Sequence, residues 1–96
     1  MTVLALVVEF LGTFVFLAAN LMTGGNPWVI GGTLALLIYF VGVDTQCGYF
    51  NPAVTVATLM NRGITASTAA KFIAAQISGA LFAVFIYSKL KTHKYL

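Results

Sequence analysis

The sequence predicts an all-α membrane protein, with three helical spans and one helical piece too short to span. Three observations carry this. Of the 96 residues, 60% are hydrophobic and only 7% are charged, against about a quarter charged in an ordinary soluble domain. Three apolar runs reach or approach the roughly 20 residues needed to cross a hydrocarbon core about 30 Å thick. Between the second and third lies Asn51-Pro52, a turn signal followed by a short helical pattern. The length suits one small domain, residues 1–96.

The first span is about 3–22, apolar apart from Glu9, Thr13 and Asn20. It reads as a retained helix. It lacks a positive n-region, and its apolar run exceeds the roughly 7–15 residues of a signal-peptide core. Thr23-Gly24-Gly25-Asn26-Pro27 is a tight loop, and Trp28 beside it suits the membrane interface. The second span is about 27–43 and ends at Asp44. It is short, so Pro27 and part of the following stretch belong to it. Residues 44–50 are irregular and partly polar. A helical segment at 52–60 follows, and Asn61-Arg62-Gly63 stops it, since Asn and Gly are favoured just past a helix end. Thr65 or Ser67 caps the third span, about 66–90, and a basic tail follows.

Composition excludes several function classes. The net charge is +3, but only Arg62 and Lys71 precede the tail, so there is no basic face for nucleic acid. Lys89, Lys91 and Lys94 read as an interfacial anchor. Cys47 is the only cysteine and His93 the only histidine. Neither a disulfide, a CxxC motif nor a metal cluster follows from them. No nucleophile–base pair is visible, so an enzyme is not predicted, and no cofactor.

The segment at 52–60 is about nine residues, or roughly 13 Å of helix, which reaches about the bilayer midplane from one side. Non-helical backbone at that depth is tolerated only when buried in protein or lining a watery cavity. A re-entrant half-helix therefore predicts a cavity. The alternative is a surface loop containing a helical turn. Asn51 stands at a strong N-cap position with Pro52 at the first helical position, where its missing N–H costs nothing. Such a helix start carries about half a positive charge. It repels cations and attracts lone-pair oxygens. The Asn51 amide adds a donor, and an extended Cys47-Gly48-Tyr49-Phe50 backbone supplies carbonyl acceptors. Acceptors followed by a donor make a path for a small neutral solute.

"GYFNPAVT", Gly48 to Thr55, resembles the first asparagine-proline-alanine box of the major intrinsic proteins, the aquaporin and aquaglyceroporin family. "EFLGTF", Glu9 to Phe14, resembles that family's first-helix signature. "FIAAQISGA", Phe72 to Ala80, resembles its third-helix pattern. The spacing of the three elements agrees, and the resemblance covers essentially the whole chain. It implies half of an aquaporin-like fold: three transmembrane helices plus one re-entrant half-helix. The family has two inverted halves, whose half-helices meet at the midplane. This chain carries one box, Asn51-Pro52-Ala53, and no second.

The resemblance implies that Glu9 hydrogen-bonds to the backbone of the re-entrant loop, with Gly12, Thr13, Gln76 and Gly79 supporting the bundle. Ala75, Gly79 and Ala83 lie four apart, a close-packing face for helices in lipid. Tyr49 stands where the family commonly has His, and Gln46 and Cys47 replace small residues, so the loop is less glycine-permissive. Cys47 reads as a buried thiol rather than a pore group. The family's narrow filter uses a second-span aromatic and an Arg after the second box. The first position corresponds to about Gly31 here, and Val54 follows Ala53. Two copies of this chain would therefore form a wider, less selective filter.

The function this implies is a channel subunit for water or a small neutral solute such as glycerol. It acts in the lipid bilayer and is completed by an inverted second copy or a partner half. Two basic residues on one side face three on the other, so the positive-inside rule gives almost no preference and permits both orientations. The competing readings are a non-conducting membrane interaction subunit, which needs only the small-residue face, and a fragment of a full-length channel. The basic tail after Ser88 reads as a genuine terminus, which weighs against a fragment.

Overall fold

The computed structural model describes residues 3–42, 45 and 47–95. The expected end of the second span at Val43 and Asp44, and the Gln46 substitution in the loop, lie outside the described residues. The described residues form four α-helices and one π-helical segment, with no strand.

Helix α1 is Val3–Met22. It ends where Gly24 takes a positive φ and the Gly25 N–H donates to the Asn20 carbonyl, the Schellman pattern that satisfies end carbonyls. Helix α2 is Pro27–Leu37, capped by the Asn26 side chain, which accepts from the Trp28 and Val29 N–H groups. It continues as a π-helical segment, Ile38–Gly42. Helix α3 is Pro52–Met60, capped by Asn51. Helix α4 is Ala66–Thr92, with Thr65 as its cap. The molecule is 45 Å along its longest axis, close to the roughly 40 Å that a 27-residue helix spans.

Helices α1 and α4 form the core. Their contacts advance together. Ala5 shares an apolar cluster with Phe72, Gln76 bonds Glu9, and the Phe14 and Phe82 rings lie 5.1 Å apart. The two helices therefore run in the same direction. On α4 the buried residues are Ala69, Phe72, Gln76, Gly79 and Ala83, alternating three and four apart as a helix seam does. Ala75 is only half-buried and sits at the margin of this seam. Of the expected face, Gly79 and Ala83 lie on the seam and Ala75 alone is displaced from it: a strict spacing of four drifts around the helix, whereas the alternating spacing stays on the contact line. At Gly79 the backbones come closest, since a Cβ there would collide with the Phe10 carbonyl oxygen.

Most of the remaining surface is apolar and exposed. Leu4, Leu11, Leu36, Phe40, Leu81 and Phe85 are all at least half exposed, and α2 buries no residue. Helices α1 and α4 are each long and apolar enough to cross a membrane; Pro27–Gly42 is shorter.

Candidate functional site

The site forms where the loop before α3 meets the middle of α1. Gly48, Tyr49 and Phe50 are consecutive, and all three backbone N–H groups point to one carboxylate. Gly48 and Tyr49 donate to Glu9 Oε2, the latter at 3.0 Å, and Phe50 donates to Oε1 at 2.9 Å. Gln76 Nε2 adds a fourth donor to Oε1 at 2.9 Å. Glu9 is fully buried. A carboxylate withdrawn from water costs several kcal/mol unless its oxygens find donors. Four donors fill its acceptor capacity.

This arrangement needs two special backbone conformations. Gly48 has φ 91° and Phe50 has φ 56°, in the left-handed region that L side chains rarely enter. Glycine serves at 48 for a second reason: a Cβ there would lie 2.6 Å from the Gly42 Cα. The loop thus packs directly on the end of the π-helical segment. Phe50 accepts its conformation because its ring is 99% buried in a slot that exists only because residue 12 is glycine. A Cβ at Gly12 would overlap that ring. With the N–H groups of Gly48, Tyr49 and Phe50 turned to Glu9, the carbonyls of Cys47 to Phe50 accept no hydrogen bond from the described residues.

From this loop the chain enters α3. The Asn51 Oδ1 accepts from the Ala53 N–H at 2.8 Å, and Pro52 occupies the first helical position. Asn51 is exposed and its Nδ2 donates to no described residue. Thr55, fully buried, ties the half-helix down. Its hydroxyl accepts from Gln76 Nε2 at 2.8 Å and lies 3.1 Å from both the Asn51 carbonyl and Gln76 Oε1. A hydroxyl has one proton, so these two acceptors share it. The result is one polar chain, Glu9–Gln76–Thr55–Asn51, inside an apolar bundle.

The other expected residues are placed as follows. Cys47 is buried among Ala5 and Phe72, and its Sγ is 2.9 Å from Thr45 Oγ1. Tyr49 is half-buried, edge-on to Phe72. Gly31 lies exposed on α2 with open space around it, and no described contact brings it to Asn51. Thr13 is buried and lines a cavity of about 290 Å³ together with Leu17, Phe50, Asn51, Pro52 and Ile77. Among the described residues, no three metal-ligating side chains come together.

Sequence reasoning assigned no role to Thr55 and none to the Phe50 ring. Thr55 sits inside the quoted box, three residues into a capped helix. Its spacing from Asn51 was a usable signal, because a threonine four residues after the cap can return its hydroxyl to the cap carbonyl. The Phe50 slot left no local signal, since it depends on Gly12.

Comparison with known proteins adds the last observation. The family model described as "Major intrinsic protein" matches residues 1–95. The chain is 45% identical to the glycerol uptake facilitator protein-like 6 of Lactiplantibacillus plantarum over 84 residues, covering 78% of this chain. It is 28% identical to the probable aquaporin PIP2-6 of Oryza sativa subsp. japonica and 29% identical to the aquaporin PIP2-7 of Musa acuminata, in each case covering 95% of this chain. The chain spans 38% of the length of each of these three relatives. No solved structure matches significantly.

Proposed function

The chain belongs to the major intrinsic protein family, and from that premise we propose that it is a channel subunit whose pore is completed by a second half. It is an integral membrane protein: members of the family are, and α1 and α4 can each cross a bilayer. The solute is water or a small neutral molecule such as glycerol, in line with the names of the relatives. The second half is an inverted copy of the same chain or a partner.

One observation carries the reading. The Asn51–Pro52 tip shares a cavity with Thr13, midway along α1, and the loop leading to it is held by Glu9. In a bilayer, the midpoint of a spanning helix is the midplane, so α3 is a re-entrant half-helix. Helices α1 and α4 run in the same direction, so the chain must return between them. Pro27–Gly42 is that returning span, the second in chain order, roughly 24 Å long. Its shortfall against a 30 Å core is made up by the flanking loops.

The chemistry follows from the tip. The α3 N-terminus carries partial positive charge that rejects cations. The Asn51 Nδ2 donates to a passing oxygen, and the carbonyls of Cys47 to Phe50 accept from it. In a pore made of two copies, Gly31 and Val54 would take the places that the family resemblance gives to an aromatic and to the arginine after a second box, so the filter is wide. Balanced positive charge allows insertion in both orientations, which supplies the inverted pair.

Swelling of phosphatidylcholine vesicles holding the purified chain tests this. Swelling above that of empty vesicles is expected, and Asn51→Asp should reduce it at least about tenfold. Asp caps a helix as well as Asn does, so the fold survives while a donor becomes a negative charge. Swelling no faster than in empty vesicles would favour a non-conducting interaction subunit built on the α1–α4 seam.

A further inference from the structure

Basic residues gather at the end of α4. Lys89, Lys91, His93 and Lys94 fall within six residues, and all are exposed. The carbonyls at a helix end attract cations, which accounts for lysines there in general. It does not account for where Lys89 lies. Its Nζ sits 5.5 Å from the centroid of the Phe85 ring, one turn back along the helix, within the range of a cation–π contact. Phe85 stacks on Phe82 at 6.5 Å, and Phe82 in turn meets Phe14 at 5.1 Å and Phe10 at 5.9 Å. A continuous ladder of rings thus crosses from α1 to α4 and is topped by one ammonium group. Phe82 and Phe85 are exposed along it.

The depth of this ladder follows from helix length. From Lys71 to Lys89, α4 rises roughly 27 Å, close to the roughly 30 Å of a hydrocarbon core. Lys89 therefore stands at the boundary where phospholipid headgroups begin, and the rings descend from it into the acyl region. Nothing in the described part of the chain answers its charge. Glu9, the one acidic residue among the described residues, is buried and already holds four donors.

A ligand for this surface has to be apolar along Phe82 and Phe85 and anionic at Lys89. A phosphatidylcholine covers the rings but brings its own cation to the lysine. A second copy of this chain offers apolar side chains, but its Glu9 is buried in the same way. A free phosphate answers the charge and leaves the rings untouched. An anionic phospholipid supplies both parts at the right depth.

We propose that the face of α4 formed by Phe82, Phe85 and Lys89 is a binding site for one anionic phospholipid, with the phosphate on Lys89 Nζ and an acyl chain along the rings. The ammonium donates a charge-assisted hydrogen bond to a phosphate oxygen. Lys91 lies about 200° further round the helix, over the Tyr87 ring at 5.8 Å, and adds only to the general positive field. The site requires membrane insertion alone and holds whether or not the chain conducts.

The test uses tryptophan quenching in phosphatidylcholine vesicles. The sole tryptophan, Trp28, is changed to Phe, and Phe85→Trp puts the reporter on the ladder with its cation–π capacity kept. Quenching by chain-brominated phosphatidylglycerol is compared with quenching by chain-brominated phosphatidylcholine at equal mole fraction, which gives their relative binding constant. One lysine at an anionic surface contributes about fivefold in binding, so phosphatidylglycerol should bind about five times more tightly. Lys89→Gln should bring that preference below about twofold, and Lys89→Arg should keep it. Lys91→Gln removes the same charge from another face and should leave the preference within about 1.5-fold of its starting value.

Equal quenching by the two lipids in the reporter protein overturns the proposal and leaves Lys89 an interfacial anchor alone. A loss in Lys91→Gln as large as in Lys89→Gln also overturns it, since the preference then belongs to the whole basic end. So does a loss in Lys89→Arg, which would make the effect one of shape rather than charge. Inorganic phosphate should lower the preference no more than sodium chloride does at the same ionic strength. If it lowers it further, the lysine takes a free phosphate and the lipid site falls.

Discussion

Replacing Glu9 by Gln tests the acceptor role of the carboxylate with almost no change in shape. The wild-type group receives four donors, Gly48 and Tyr49 on one oxygen and Phe50 and Gln76 on the other. An amide turns one of those oxygens into a donor. If it replaces Oε2, two backbone N–H groups face an NH₂. If it replaces Oε1, Gln76 can flip its own amide and accept, but the Phe50 N–H is still left unpaired. Bonds to a charged group contribute about 1.5–3 kcal/mol each, so the least costly arrangement loses about 2 kcal/mol and the other about 3–6 kcal/mol. The loss falls on the loop that contains Cys47, the sole cysteine and a buried one. Maleimide labelling of Cys47 in detergent therefore reads loop opening directly, since the rate follows the open population. A loss of about 2 kcal/mol predicts labelling at least about 30 times faster. Glu9→Asp, which keeps both oxygens on a shorter stem, should fall between. Acceleration of less than about threefold in Glu9→Gln would refute the view that these bonds hold the loop.

Two more predictions use the same preparation. Gly12→Ala puts a methyl group into the Phe50 ring, so the ring must leave its slot at a cost of about 1–3 kcal/mol; faster Cys47 labelling and a lower melting temperature should accompany it, and wild-type values for both would contradict the slot. Arg62 has φ 62°, so Arg62→Gly should stabilise by about 1 kcal/mol through relief of left-handed strain, seen as a higher midpoint in thermal melts with no change in labelling geometry.

The local features were legible because they obey rules a few residues long. The cap at Asn51 with Pro52 behind it follows from the shortage of acceptors at a helix start. The stop after Met60 was readable from Asn61-Arg62-Gly63, but its inner geometry was not. Arg62, rather than the glycine, takes the left-handed position, and Gly63 donates to the Thr58 carbonyl. Glycine is needed at 63 because a Cβ there would press within 2.8 Å of the Thr58 methyl. The same limit applies on α4. Small residues four apart pointed to a packing face, yet the buried seam includes the larger Phe72 and Gln76. Burial is decided by what stands opposite, and here that is Ala5 and Glu9.

By itself, the sequence determined that this is a helical membrane protein of the major intrinsic protein family, because composition, helix length and the asparagine-proline box are properties of the chain alone. Only the tertiary structure decided how the loop is held. Glu9 lies 39 to 41 residues from the N–H groups it receives, and no spacing along the chain encodes that three consecutive donors converge on one buried carboxylate. The same is true of the Phe50 ring in the space left by Gly12, and of the Thr13 hydroxyl, which has no partner among the described residues. Each depends on two helices meeting at one depth, a relation that exists only after the chain has packed.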